Sequence, residues 1–265
     1  MTRADVLVHQ LHRTIVIEAD RETVFRFFTD PARWAAWWGP GSSIDARPGG
    51  RILIVYPGGT EATGEVVEMA PPEQLTFTYG YAKGTPVAPG ASLVTIRLAA
   101  EGTATRLELT HAFADAAVRD SHVQGWRYQL SLFANAVANE VHQGASALVD
   151  RWFSTWSEPD GTARDSSLKS IAVASIRMRD PYSAIDGIAD LLEHLAASHR
   201  FMPGIRLERD GDVRHCQGMA LADWIARTAD GQERARGTNV FVLDSTGRIQ
   251  AVTGFWTMAK RQEQA

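Results

Sequence analysis

The sequence predicts an α+β protein of two tandem domains, each an antiparallel sheet curved around helices. Three observations lead there. The chain has 265 residues, long for one compact domain and comfortable for two. Alternating apolar and polar runs, broken by Pro and Gly clusters, recur in both halves. Each half also carries an apolar stripe at helical spacing: Trp126, Leu130, Phe133, Val137 and Val141 in the first, Leu148, Trp152 and Trp156 in the second. The stripes meet near Gln143 to Ser146, which sets the domains at 1–144 and 145–265.

Taken in order, His12 to Glu18 alternates as a half-buried strand does. Asp20 caps a short helix through Phe28, and Asp30-Pro31 opens another, an acid followed by Pro at the first helical position. Six strands are expected between Ser43 and His111, separated by breaks such as Pro57-Gly58-Gly59 and Pro71-Pro72. One long helix then runs from about Val118 to Gln143, stopped by Gly144. In the second half, the helix bearing Trp152 ends at Ser157 to Gly161. A strand follows over Val173 to Asp180, then a helix over Ile185 to Arg200, then strands near 212–228, 236–244 and 248–257. Asp244-Ser245-Thr246-Gly247 turns the chain between the last two.

Composition narrows the partners. Hydrophobic residues make up 45% and charged residues 22%, the balance of a globular protein. With a net charge of -4 and acids and bases interspersed, there is no concentrated basic face for nucleic acid or a membrane surface. Cys216 is the single cysteine, so no internal disulfide forms. No stretch approaches the roughly 18 apolar residues of a membrane span, and MTRADVLVHQLHR lacks a leader's apolar core. The expectation is a cytoplasmic protein. Eight Trp require large apolar volumes to fill or to line.

Val24 to Pro31, Trp37-Trp38-Gly39-Pro40, Leu109-Thr110-His111 and Gly125-Trp126 together resemble the activator-of-heat-shock-ATPase homologue family, of the START-like helix-grip proteins. The resemblance spans about 8–143. It implies a helix-grip fold with a cavity between sheet and long helix, and members that bind lipids and polyketides, cyclise them or contact a chaperone. Trp34, Trp37 and Trp38 share one face of a short helix, where they either plug the core or line that cavity. Trp126 from the long helix is a further candidate lining residue. His111 and His122 are candidate polar groups at the cavity mouth.

Arg151-Trp152, Arg179-Asp180-Pro181 with Gly187, and Asp244 to Ile249 resemble the nuclear-transport-factor-2-like superfamily, closest to its SnoaL-like and ketosteroid-isomerase-like members. This resemblance covers about 146–257. It implies a cone of helices closed by a curved α+β sheet, dimerised through the sheet's outer face. It also implies a general base at Asp180, with oxyanion donors at Trp152 and Asn239, where those relatives carry Tyr and an acid. Strand alternation independently puts Ile176, Met178 and Asp180 on one face, and Asn239, Phe241 and Leu243 on another. A carboxylate beside Ile and Met is costly unless solvated, paired or protonated. Asp before Pro also starts turns for purely structural reasons.

His199 and His215 are candidates to meet at the second pocket. His194 and His199 stand five apart, unlike the four-residue step of a zinc pair, and no phosphate-cradling loop or dinucleotide fingerprint occurs, so neither metal nor cofactor is expected. His215 and Cys216 are strand neighbours that point to opposite faces, which spoils a nucleophile–base pair. The leading expectation is binding of a small hydrophobic metabolite in one or both cavities. Behind it stand a cofactor-independent isomerase, cyclase or hydratase using Asp180, and a chaperone-interaction module in the first domain.

Overall fold

The computed structural model describes residues 7–258. The first six residues, part of the stretch read above for a leader, lie outside it. The chain divides into two compact units, Met1–Glu140 and Val141–Ala265. Among the described residues, no helix is long and apolar enough to cross a membrane.

In the first unit, β1 (His9–Ile17) is followed by α1 (Arg21–Arg26) and α2 (Pro31–Trp38). Asp20 caps α1 by accepting from the Thr23 amide, and Asp30 caps α2 by accepting from those of Ala32 and Arg33, which uses backbone donors the first turn leaves unpaired. Six strands follow: β2 (Ser43–Ile44), β3 (Arg51–Val55), β4 (Glu61–Ala70), β5 (Gln74–Tyr81), β6 (Ser92–Glu101) and β7 (Ala104–Phe113). They pair antiparallel in the order β1-β7-β6-β5-β4-β3-β2. The sheet holds α4 (Val123–Val141), whose buried residues Trp126, Leu130, Phe133 and Val137 repeat at helical spacing.

The single helix expected over 118–143 is two. α3 (Ala116–Ser121) ends at His122, before α4 begins. The His122 ring and the Ser121 hydroxyl both bond the Val118 carbonyl, while the His122 amide turns to Arg119. Side chains thus occupy the acceptor that an unbroken helix would give to a backbone amide.

The second unit opens with α5 (Ala145–Ser157) and α6 (Gly161–Ile171), then β8 (Ala172–Asp180), β9 (Ser183–Asp186) and α7 (Ile188–Phe201). Four strands complete it: β10 (Arg206–Cys216), β11 (Met219–Arg227), β12 (Glu233–Leu243) and β13 (Ile249–Met258). Sheet order is β10-β11-β12-β13-β8-β9, with β13 and β8 parallel. Three sequence expectations are corrected. Helix α6 went unread because its buried residues, Arg164, Leu168 and Ile171, make too sparse an apolar stripe. The helix expected from Ile185 starts later, since Ile185 pairs with Met178 and Gly187, at φ 99°, turns the chain into α7. The strand expected over 212–228 is a hairpin, reversed at Gln217-Gly218 with φ of 47° and 81°.

Candidate functional site

Each unit holds a cavity. That of the second measures about 380 Å³ and is walled largely by aromatic rings. Trp152 and Trp156, one helical turn apart on α5, face it together, with ring centroids 5.8 Å apart. Trp224 from β11 and Trp256 from β13 meet edge to face at 5.1 Å on the opposite wall. Met178 and Asp180 enter from alternate positions of β8, and Asn239 from β12.

The polar end of this cavity is built from Asp180 and Asn239. Asn239 is buried, and its Oδ1 accepts from Trp224 Nε1 at 3.0 Å. An indole nitrogen only donates, so this bond fixes the amide and leaves Nδ2 as the group Asn239 can offer to the cavity. Asp180 closes the β8–β9 hairpin: its Oδ1 accepts from the Tyr182 amide at 2.8 Å and from Ser183 Oγ at 2.7 Å. Its turn role is therefore real, and the same half-buried carboxylate lines the cavity. Gly254 lets the two groups converge. A Cβ there would come within 3.1 Å of Asn239 Oδ1 and 3.3 Å of the Asp180 Cβ.

The other residues singled out in this unit fall in different places. Trp152 is a cavity wall, and Phe241, fully buried, backs it edge to face at 5.9 Å without reaching the cavity. His199 lies beside Trp156 in a small adjoining recess. His215 does not meet His199. It packs on His142, Nε2 to Nδ1 at 3.2 Å, and His142 Nε2 donates to the Asp244 carbonyl. The turn at Asp244, not the cavity, is where that pair sits. Trp156 was read from the sequence only as part of an apolar stripe, and Trp224, Trp256 and Gly254 were not picked out, although the burial alternation of β11 places Trp224 with Ala220, Ala222 and Ala226.

The cavity of the first unit measures about 280 Å³, and Trp38, Tyr56, Tyr79, Tyr81, His122 and Trp126 line it. Trp34 and Trp37 do not. They are core, with Trp37 4.9 Å from Phe133 and Trp34 5.9 Å from Phe77. The Tyr56 and Tyr79 hydroxyls bond each other at 2.9 Å, and burial pushes both phenols above their ordinary pKa, so they stay protonated donors.

His111 is not at a cavity mouth. It is fully buried, and each ring nitrogen is engaged. Trp126 Nε1 donates to Nδ1 at 2.9 Å, so Nδ1 carries no proton. Nε2 then donates to Ser92 Oγ at 2.8 Å, and that hydroxyl donates in turn to the Tyr79 carbonyl at 2.8 Å. Burial, with His122 nearby, holds the ring well below the usual histidine range. His122 does line the cavity; its Nδ1 donates to Val118, and among the described residues its buried Nε2 has no partner. No cluster of three or more His, Cys, Asp or Glu capable of holding a metal occurs among the described residues.

Residues 18–138 match the family Activator of Hsp90 ATPase homolog 1-like protein. The first unit is similar to that family over this span, which leaves out β1 and takes in β2 to β7, α1 to α3 and most of α4. No curated relative matches the chain. Among solved structures, a SnoaL-like family protein from Agrobacterium tumefaciens is 24% identical, covering 44% of this chain and 98% of its own at a TM-score of 0.41. CalU16 from Micromonospora echinospora is 28% identical, covering 51% and 79%, also at 0.41. A protein from Arthrobacter aurescens is 19% identical, covering 51% and 88%, at 0.42.

Proposed function

We propose that the second unit binds a small, largely apolar molecule, oriented by one polar group at Asp180 and Asn239. The observation that carries this is a cavity of about 380 Å³ walled by Trp152, Trp156, Trp224 and Trp256, with Asp180 and Asn239 converging beside Gly254. Apolar lining with a few placed polar groups is the usual form of a small-molecule site. Calorimetric titration of the whole chain with 2-methyldecalin should detect binding. Phenylalanine at Ala226 or Ala235, both buried in the cavity wall, should abolish it while circular dichroism stays native. Binding that survives both substitutions would place the ligand elsewhere.

A second reading is proton transfer next to a carbonyl, with Asp180 as proton acceptor. The convergence of Asp180 and Asn239 on Gly254 supports it, because the Asn239 amide can polarise a carbonyl whose neighbouring C–H faces the carboxylate. Trp152 walls the same space. In this reading Asp180 takes the α-proton to leave an enolate, its carboxyl trades that proton with solvent, and it then returns a solvent-derived one to the same carbon. Deuterium incorporation into 2-decalone should be accelerated by the native chain and fall to the background rate in Asp180→Asn. An unchanged rate in that variant ends the idea.

A further inference from the structure

Three neighbouring strands bring hydrogen-bonding groups together around Gly254. Asn239 of β12 stands opposite Gly254 of β13, and the pairing of Thr253 with Arg179 sets Asp180 of β8 on the other side of Gly254. Asn239 and Asp180 are therefore two strand spacings apart at the backbone, twice about 4.8 Å, with a residue lacking a side chain between them. Trp256, two residues along β13, shares that face, and its Nε1 lies 3.7 Å from where a Cβ of Gly254 would stand. Asp180, Asn239 and Trp256 all line the cavity.

Each of the three keeps one atom for a ligand. Oδ1 of Asp180 is taken by the Tyr182 amide and the Ser183 hydroxyl, which leaves Oδ2 as an acceptor. Oδ1 of Asn239 is held by Trp224, which leaves Nδ2 as a donor. Trp256 Nε1 can only donate. Among the described residues none of these three atoms has a hydrogen-bond partner, and none is among the unpaired atoms that are fully buried, so each retains surface that a ligand can touch. No Lys or Arg among the described residues pairs with Asp180; the neighbouring Arg179 turns to Asp186 at 2.7 Å.

Two donors and one acceptor thus meet the polar end of a ligand. A polar atom that a ligand covers without pairing is costly, so the complement is a group that accepts twice and donates once. A carboxylate meets the charge of Asp180 and has no proton to give. An amine has nothing for the two donors. A ketone satisfies the donors and leaves Oδ2 unpaired. A hydroxyl would have to reach both walls from one atom, across two strand spacings. A secondary amide carries its carbonyl and its N–H on separate atoms. A Cβ at Gly254 would already crowd Asn239 and Asp180, so a ligand meets them from the cavity, along one of its own edges. Carbonyl and N–H share an edge only in a cis amide, the form a ring enforces. We infer that the ligand of the second unit is a lactam: its carbonyl accepts from Asn239 Nδ2 and Trp256 Nε1, its N–H donates to Asp180 Oδ2, and its apolar body lies among the Trp rings. This rests on the binding reading above and adds the ligand's chemical class.

The test is calorimetric titration of the whole chain with probes of like shape: decahydroquinolin-2-one, a bicyclic lactam; 2-decalone, which has CH2 in place of the N–H; 2-decalol; and 2-methyldecalin. The lactam should bind at least about tenfold more tightly than either the ketone or the alcohol, as a site built to pair an N–H requires. Asp180→Asn keeps Oδ1 for the hairpin turn and puts a donor where Oδ2 was, so the preference for lactam over ketone should fall below about threefold. Asn239→Asp keeps the acceptor for Trp224, removes the donor and should weaken lactam and ketone alike. The probe comparison on the native chain decides the matter even if a variant does not fold. Equal affinity for lactam and ketone, an alcohol that matches the lactam, or a preference that persists in folded Asp180→Asn overturns the inference, and binding of 2-methyldecalin then still upholds the cavity reading. No binding of any probe overturns both.

Discussion

Replacing Trp37 with alanine is expected to destabilise the first unit by about 3–5 kcal/mol, the range for deleting a buried Trp side chain. Trp37 is almost fully enclosed, 1% exposed. Its ring lies 4.3 Å from Trp38, 5.2 Å from Trp34, 4.9 Å from Phe133 and 5.9 Å from Phe28, and its indole nitrogen donates to the Phe27 carbonyl at 3.3 Å. No small neighbour can slide into the gap, because those around it are themselves large rings held by other contacts. Trp37→Ala would also leave the Phe27 carbonyl without that donor. Denaturant unfolding followed by circular dichroism measures the loss, and Trp37→Phe should retain part of it. A loss under about 1 kcal/mol would mean that this cluster is not the centre of the first core. The same substitution at Trp38, which borders the cavity, leaves room for a ligand to compensate and should cost less in a ligand's presence.

The second large effect is acid sensitivity of the first unit. His111 has a folded-state pKa well below its ordinary value, mainly through burial. The unfolded chain therefore takes up the proton first. Stability from this group is fully present above about pH 6.5 and is lost as pH falls below it, by about 1.4 kcal/mol per unit until the folded ring protonates. The burial of His122 adds in the same direction. Chemical denaturation between pH 7.5 and 5.5 should show the decline. His111→Gln keeps an acceptor for Trp126 and a donor for Ser92, so it should fold and lose the share that comes from His111. An identical acid slope in His111→Gln would assign the effect to other groups.

Both effects arise from residues whose surroundings the sequence pattern left open. The three Trp of α2 share one helical face, and periodicity says only that the face is apolar. Whether a ring meets a core or a cavity depends on what approaches from other elements: Phe133 covers Trp37, whereas Tyr56 and Trp126 leave space at Trp38. His111 could be read as a polar group at the cavity mouth because its partners, Ser92 and Trp126, come from β6 and α4. Local signals were read more directly. Asp20 and Asp30-Pro31 start helices where they stand, and period-two alternation set Met178, Asp180 and Asn239 toward the interior. That Trp156 and His199 border one recess has no local signature at all, since α5 and α7 meet only in the folded unit.

The parallel pairing of β13 with β8 has a consequence for how this interior comes into being. Thr253 stands opposite Arg179 in that register, which sets Gly254 against Asp180. The two strands are far apart in the chain, and closing so long a loop is entropically unfavourable until other contacts have formed. During synthesis the polar end of the hollow can take shape only once the last strand has left the ribosome. A chain stopped before Ile249 would carry the carboxylate and the amide without the strand that joins them.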